Sequence, residues 1–118
     1  MLIDLDNTVL NNLYYLLGVR VEIEFSSNRL ADASMNLSES ARLFGVSIGQ
    51  KYVQRIAVLR ATDKFTQLFG LQALRLHPLK GNRAGQYSLS LTGNYRLIIE
   101  KVKEDKVLIL DVEDYHGN

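Results

Sequence analysis

Three short stretches in the second half of the chain hold side chains suited to proton transfer beside negative charge: Leu76-His77-Pro78-Leu79-Lys80-Gly81, Gly93-Asn94-Tyr95-Arg96-Leu97-Ile98 and Glu113-Asp114-Tyr115-His116-Gly117. Together they bring both histidines, a lysine, an arginine and an acidic-aromatic pair onto one run of strand-like sequence. Cleaving a phosphodiester without a metal needs groups of this kind. One removes a proton, one returns it, and cations hold the negative charge that develops. Between positions 74 and 103 the cations are Arg75, Lys80, Arg83, Arg96, Lys101 and Lys103, against the single anion Glu100. The net charge of +1 for the whole chain hides this local excess.

The elements that must position these groups follow from periodicity. Leu5, Val9, Leu13, Leu16 and Leu17 recur at helical spacing before Gly18, which predicts an amphipathic helix over 6–17. Val19, Val21, Ile23 and Phe25 alternate with Arg20, Glu22 and Glu24, the period of a strand with one wet face. Leu30, Ala33, Leu37, Ala41 and Phe44 then mark one helix closed by Gly45, and Ser47 opens another with Ile48, Tyr52, Ile56 and Leu59 on its apolar side. A last helical turn is expected over 64–69. From Gly70 onward the pattern is that of strands joined by a few residues, which must pair antiparallel. Tyr87, Leu89 and Leu91 oppose Gln86, Ser88 and Ser90, and Tyr95, Leu97 and Ile99 oppose Arg96 and Ile98. Helices covering the apolar side would leave Ser88, Ser90 and Arg96 as the floor of a groove.

Length and composition fit this reading. A chain of 118 residues with 47% apolar composition makes one domain with a real core, so 1–118 is expected to fold as a unit. No cysteine is present for a disulfide or a thiolate metal site. The N-terminus carries Asp4 and Asp6 rather than early basic residues, and the apolar segment 5–17 is shorter than the roughly twenty residues that span a bilayer. The expectation is a soluble cytoplasmic protein that neither inserts in a membrane nor needs a cofactor.

The strand Val-Arg-Val-Glu-Ile-Glu-Phe, the helical hairpin, Leu-Arg-Leu-His-Pro-Leu-Lys-Gly, Tyr-Ser-Leu-Ser-Leu-Thr-Gly-Asn-Tyr-Arg-Leu-Ile and the ending Glu-Asp-Tyr-His-Gly together resemble the HigB-type toxins of the RelE/ParE superfamily, from about Val19 to Gly117. The resemblance implies an α+β, RelE-like fold with N-terminal helices packed on one face of an antiparallel sheet. It also implies a toxin of a type II toxin-antitoxin pair: a metal-independent endoribonuclease that cleaves mRNA in the ribosomal A site and is neutralised by a helix-turn-helix antitoxin of the HigA type. Carried over by residue, the active positions are His77, Lys80, Arg96, Asp114, Tyr115 and His116. The two histidines would divide the proton transfers, Lys80 and Arg96 would hold the phosphate, Asp114 would orient a histidine or cation, and Tyr115 would stack on a base or bond the phosphate. Residues 1–18 form an N-terminal extension outside the resemblance, and periodicity alone predicts the extra helix there.

Each position also has a plainer reading. His77 beside Pro78 suits a packing residue at a strand end, Lys80 suits a solvated loop charge, and Arg96 between apolar neighbours suits an ion pair with Asp111, Glu113 or Asp114. The ParE branch of the superfamily, which inhibits gyrase by binding, is the alternative activity; it lacks this His/Lys/Arg/Tyr/His set. The start Leu2-Ile3-Asp4-Leu5-Asp6-Asn7-Thr8 resembles the first motif of haloacid dehalogenase-type phosphatases, but only Met1 to Ile3 precede Asp4 and no alternating strand-helix series follows.

Overall fold

Alternating residues in the second half of the chain build a sheet, and periodic ones in the first half build the helices that cover it. The computed structural model describes residues 21–115; the helix expected over 6–17 and the histidine at 116 lie outside them. In chain order the elements are strand β1 (Glu22–Phe25), helices α1 (Asn28–Ser34), α2 (Leu37–Phe44) and α3 (Val46–Ala61), 3₁₀ turns at Phe65–Gly70 and Gln72–Leu74, strand β2 (His77–Pro78), a turn at Gly81–Arg83, and strands β3 (Gln86–Ser90), β4 (Tyr95–Lys103) and β5 (Lys106–Asp114). The sheet order is β1-β5-β4-β3-β2. Strands β2 to β5 pair antiparallel, as their short connections require. Strand β1 joins the other edge parallel to β5, from Glu22 opposite Lys106 to Phe25 opposite Ile109, because the chain between them is long enough for a crossover.

The single helix expected up to Phe44 is two. Asn36 takes an extended backbone and its side chain accepts from the Glu39 amide, so it starts a new helix where periodicity alone read through. Gly45, at φ +87°, ends α2 and begins α3 in one residue. The two helices then meet closely. Gly49 lies against the backbone of Ser40 and Ala41, and the Ser40 hydroxyl donates to the Gly49 carbonyl at 2.8 Å.

Leu97 and Ile99 of β4, Val107 and Ile109 of β5, Leu89 of β3 and Ile23 of β1 pack beneath Leu30, Tyr52, Ile56, Leu59, Phe65 and Leu68. Each of the larger side chains buried here contributes about 1.5–3 kcal/mol. Tyr52 is sealed, its hydroxyl donates to the Leu30 carbonyl at 2.6 Å, and burial holds its phenol protonated far above the ordinary value.

One irregularity in β5 decides what faces the other side. Ile98 is opposite Asp111 while Ile99 is opposite Ile109, so Leu110 is an extra residue, a bulge. Strict alternation from Val107 and Ile109 would carry Asp111 into the core. The bulge reverses the phase instead, returning Val112 to the core and sending Asp111, Glu113 and Tyr115 to the face that carries Arg96.

Candidate active site

The chain enters the sheet edge through a strained residue. Arg75 has φ +47°, the one positive φ at a non-glycine position among the described residues, and this turns its carbonyl back over the sheet. Two residues later His77 pairs with Ser88 and Pro78 with Tyr87, and proline is tolerated because β2 is an edge strand. The His77 side chain is exposed on this rim.

Arg96 lies across β3 toward that rim. Its Nε donates to the Ser88 hydroxyl at 2.6 Å, and its Nη2 donates to the Arg75 carbonyl at 2.7 Å and to the Ser88 carbonyl at 3.2 Å. The same Nη2 stands 3.3 Å from Nδ1 of His77, and that Nδ1 is 3.3 Å from the Arg75 carbonyl. Nη2 has two hydrogens, and the two carbonyls take both. The donor count therefore favours Nδ1–H pointing at Arg75, with the lone pair on Nε2. Burial, and then the positive charge of Arg75, pull the Arg96 guanidinium below its ordinary pKa, opposed by Tyr115, yet it remains cationic at neutral pH. Neutral acceptors stand in place of the ion pair that the plainer reading gave Arg96.

The acid nearest in register is engaged elsewhere. Glu113, opposite Arg96, binds Arg83 through both oxygens at 2.7 and 3.2 Å, and Arg83 Nε also donates to Gln86 at 3.1 Å. The hydrogen bond to Glu113 raises the Arg83 pKa above its ordinary value, burial opposes this, and the charges of Glu113 and Tyr115 add to the rise. Tyr115 thus bears on both arginines. Its amide extends the ladder to Asn94 at 2.8 Å, and its ring lies 6.4 Å from that of His77.

Of the six expected positions, the structure brings His77, Arg96 and Tyr115 together. Lys80 stands exposed just before the turn at Gly81–Arg83, and its side chain makes no hydrogen bond or ion pair among the described residues. Asp114 is opposite Tyr95, so the alternation of β5 sets it on the helical side rather than beside Arg96. His116 is outside the described residues. The sequence reading missed the parts played by Arg75, whose contribution is a backbone carbonyl, and by the Arg83–Glu113 pair; the alternation did place Ser88 beside Arg96. A cation fixed among neutral dipoles beside an exposed imidazole can bind a phosphate and exchange a proton with a group attached to it.

Over 83% of its length the chain superposes on 99% of a chain from the YoeB-YefM complex of Staphylococcus aureus, with a TM-score of 0.51 and 20% identity. The fold is RelE-like. In sequence, 60 residues are 40% identical to Endoribonuclease HigB of Proteus vulgaris, a match covering 49% of this chain and 64% of that protein. The chain thus spans less than two thirds of that relative's length. No family model matches. Among the described residues of this RelE-like chain, no helix is long and apolar enough to cross a membrane.

Proposed function

We propose that this chain is the toxin of a type II toxin-antitoxin pair and a metal-independent endoribonuclease acting on mRNA in the ribosomal A site. The observation that carries the reading is Arg96 held 3.3 Å from the exposed His77 at the β2 rim of the sheet. Similarity to a protein named Endoribonuclease HigB supports it. The partner of the pair is a helix-turn-helix antitoxin of the HigA type, a reading supported by a fold shared with a chain of the YoeB-YefM complex.

In the proposed reaction the ribose 2′-OH attacks the adjacent phosphorus while His77 Nε2 takes its proton. The P–O5′ bond breaks, and a second group protonates the departing 5′-oxygen, leaving a 2′,3′-cyclic phosphate and a 5′-hydroxyl. Arg96 holds the non-bridging oxygens, and Tyr115 stacks on a base or bonds the phosphate. His116 is the candidate for the other proton transfer, and the two histidines are interchangeable in role. Lys80 adds a mobile positive charge at the rim, and Asp114 is an orienting residue at the strand end.

Primer extension on translated mRNA tests this. Wild type is expected to leave discrete cuts, His77→Gln to reduce their rate about 10²–10⁴-fold with an unchanged melting curve, and His116→Gln to do the same. Inhibited DNA gyrase with intact transcripts would replace this reading by the ParE-like one.

A further inference from the structure

A side-chain bridge runs from the rim that carries His77 to the strand end that carries Tyr115. Arg83 ends the turn that follows β2, and its guanidinium donates to both oxygens of Glu113, at 2.7 and 3.2 Å, and through Nε to Gln86 at 3.1 Å. Gln86 is opposite Glu100 and Glu113 is opposite Arg96, so the bridge leads from β3 to β5 and crosses β4 at Ile98. Neighbouring strands lie about 4.8 Å apart, which makes this a span of roughly 10 Å. Ile98 alternates with Leu97 and Ile99 and therefore faces the Arg96 side, yet it is fully buried. The bridge passes over it.

The rim it ties down has little else of its own. Strand β2 is two residues long, and Pro78 brings no N–H to the ladder. The backbone bonds of the turn at Gly81–Arg83 are local, from Arg83 to the Lys80 carbonyl and from Ala84 to the Gly81 carbonyl, both at 3.2 Å. At the other end Glu113 stands two residues before Tyr115 on the same face of β5. Tyr115 acts by charge on Arg83 and on Arg96 alike, and its ring lies 6.4 Å from that of His77. A partly exposed ion pair adds little to stability. A guanidinium forked onto both oxygens of a carboxylate does fix direction as well as distance. Reacting groups need that precision, since a displacement of about 1 Å can cost a hundredfold in rate.

We propose that Arg83 and Glu113 are positioning residues of the reaction: their bridge fixes the rim after β2 against the end of β5, and so sets the gap between His77 and Tyr115 in which the scissile link is held. This rests on the endonuclease reading above. Neither residue touches the RNA. Arg83 already gives three of its five N–H groups to Glu113 and Gln86, which suits a tie rather than a phosphate ligand.

The test measures cleavage of message on programmed ribosomes over a range of ribosome concentrations, so that kcat and KM separate. Arg83→Gln and Glu113→Gln are each expected to lower kcat about 10- to 100-fold and to leave KM within about threefold of wild type. The double variant should fall no further than either single one, because both remove the same tie. Exchanging the pair, Arg83→Glu with Glu113→Arg, should recover about tenfold. Losses that multiply in the double variant overturn the proposal. So does a rise in KM alone, or a loss in Arg83→Gln with full activity in Glu113→Gln; Arg83 would then hold phosphate itself. Should the exchanged pair fold poorly by its melting curve, the two Gln variants and their combination still decide the matter. Absence of any cut by wild type overturns the endonuclease reading, and the proposal with it.

Discussion

Ser88 sets the aim of Arg96. Its hydroxyl accepts from Nε at 2.6 Å and is fully buried, so Ser88→Ala leaves one N–H of a charged group without an acceptor. The expected cost is about 1–3 kcal/mol in a urea titration, together with a fall of at least tenfold in mRNA cleavage. Arg96→Lys keeps the charge and loses the fork that spans Ser88 and Arg75, so cleavage should drop about a hundredfold or more in the same assay while the protein stays folded. At this scale much was legible. Ser88 and Arg96 share a phase of alternation on neighbouring strands, which places them together before any coordinates. The Arg75 carbonyl was not legible, because a backbone conformation at φ +47° leaves no mark in the type of an arginine.

Elements are fixed by a few specific contacts. Glu104, in the turn between β4 and β5, accepts from the amide and hydroxyl of Thr66 at 3.3 and 3.1 Å, and its own carbonyl accepts from the Phe65 amide at 2.7 Å. The turn therefore anchors the 3₁₀ segment that carries Phe65 and Leu68 into the core. The hydrogen bond from Lys101 first of all holds the Glu104 carboxyl below its ordinary value of 4.5; burial opposes it, and the Thr66 amide and hydroxyl add to the lowering. A depressed carboxyl contributes its stability in full above that ordinary value and loses it as the pH falls through the lowered one. Hydrogen exchange at Phe65 and Thr66 should thus quicken on acidification below about pH 4.5, and Glu104→Gln should remove most of that dependence.

Gly49 makes the corresponding contact among the helices. A methyl there would meet Ser40 and Ala41 backbone atoms at 2.7–2.8 Å, and these cannot swing aside. Gly49→Ala gains at most about 1 kcal/mol of helix propensity against an overpacking cost of about 1–3 kcal/mol, so a lower denaturation midpoint is expected. The helix break at Asn36 was overlooked because apolar spacing continues across it, although Asn36 with Glu39 is a capping signal. The bulge had a signal too. The run Val107-Leu108-Ile109-Leu110-Asp111-Val112 cannot keep one phase without either burying Asp111 or turning Val107 and Ile109 outward.

At the scale of the molecule, a net charge of +1 is too small to hold RNA by itself, and the local excess of cations lies between positions 74 and 103, on the strands that carry Arg96 and His77. The division of labour proposed above follows from that. The ribosome presents the strand, and the protein grips it locally. Cleavage of free RNA should accordingly be far slower than cleavage of translated mRNA, and should weaken further between 50 and about 200 mM salt.

The parallel pairing of β1 with β5 joins the first and last strands of the described chain, and the hydroxyl of Ser26 reaches across 84 positions to the Leu110 carbonyl. Such a closure comes late in folding, since no local contact can substitute for it. It also comes late in synthesis. A nascent chain arrested before β5 has left the exit tunnel should remain sensitive to protease, with neither the edge strand zipped nor Tyr115 delivered to His77. On the reading proposed above, a ribosome making this protein is spared by topology until β5 has emerged.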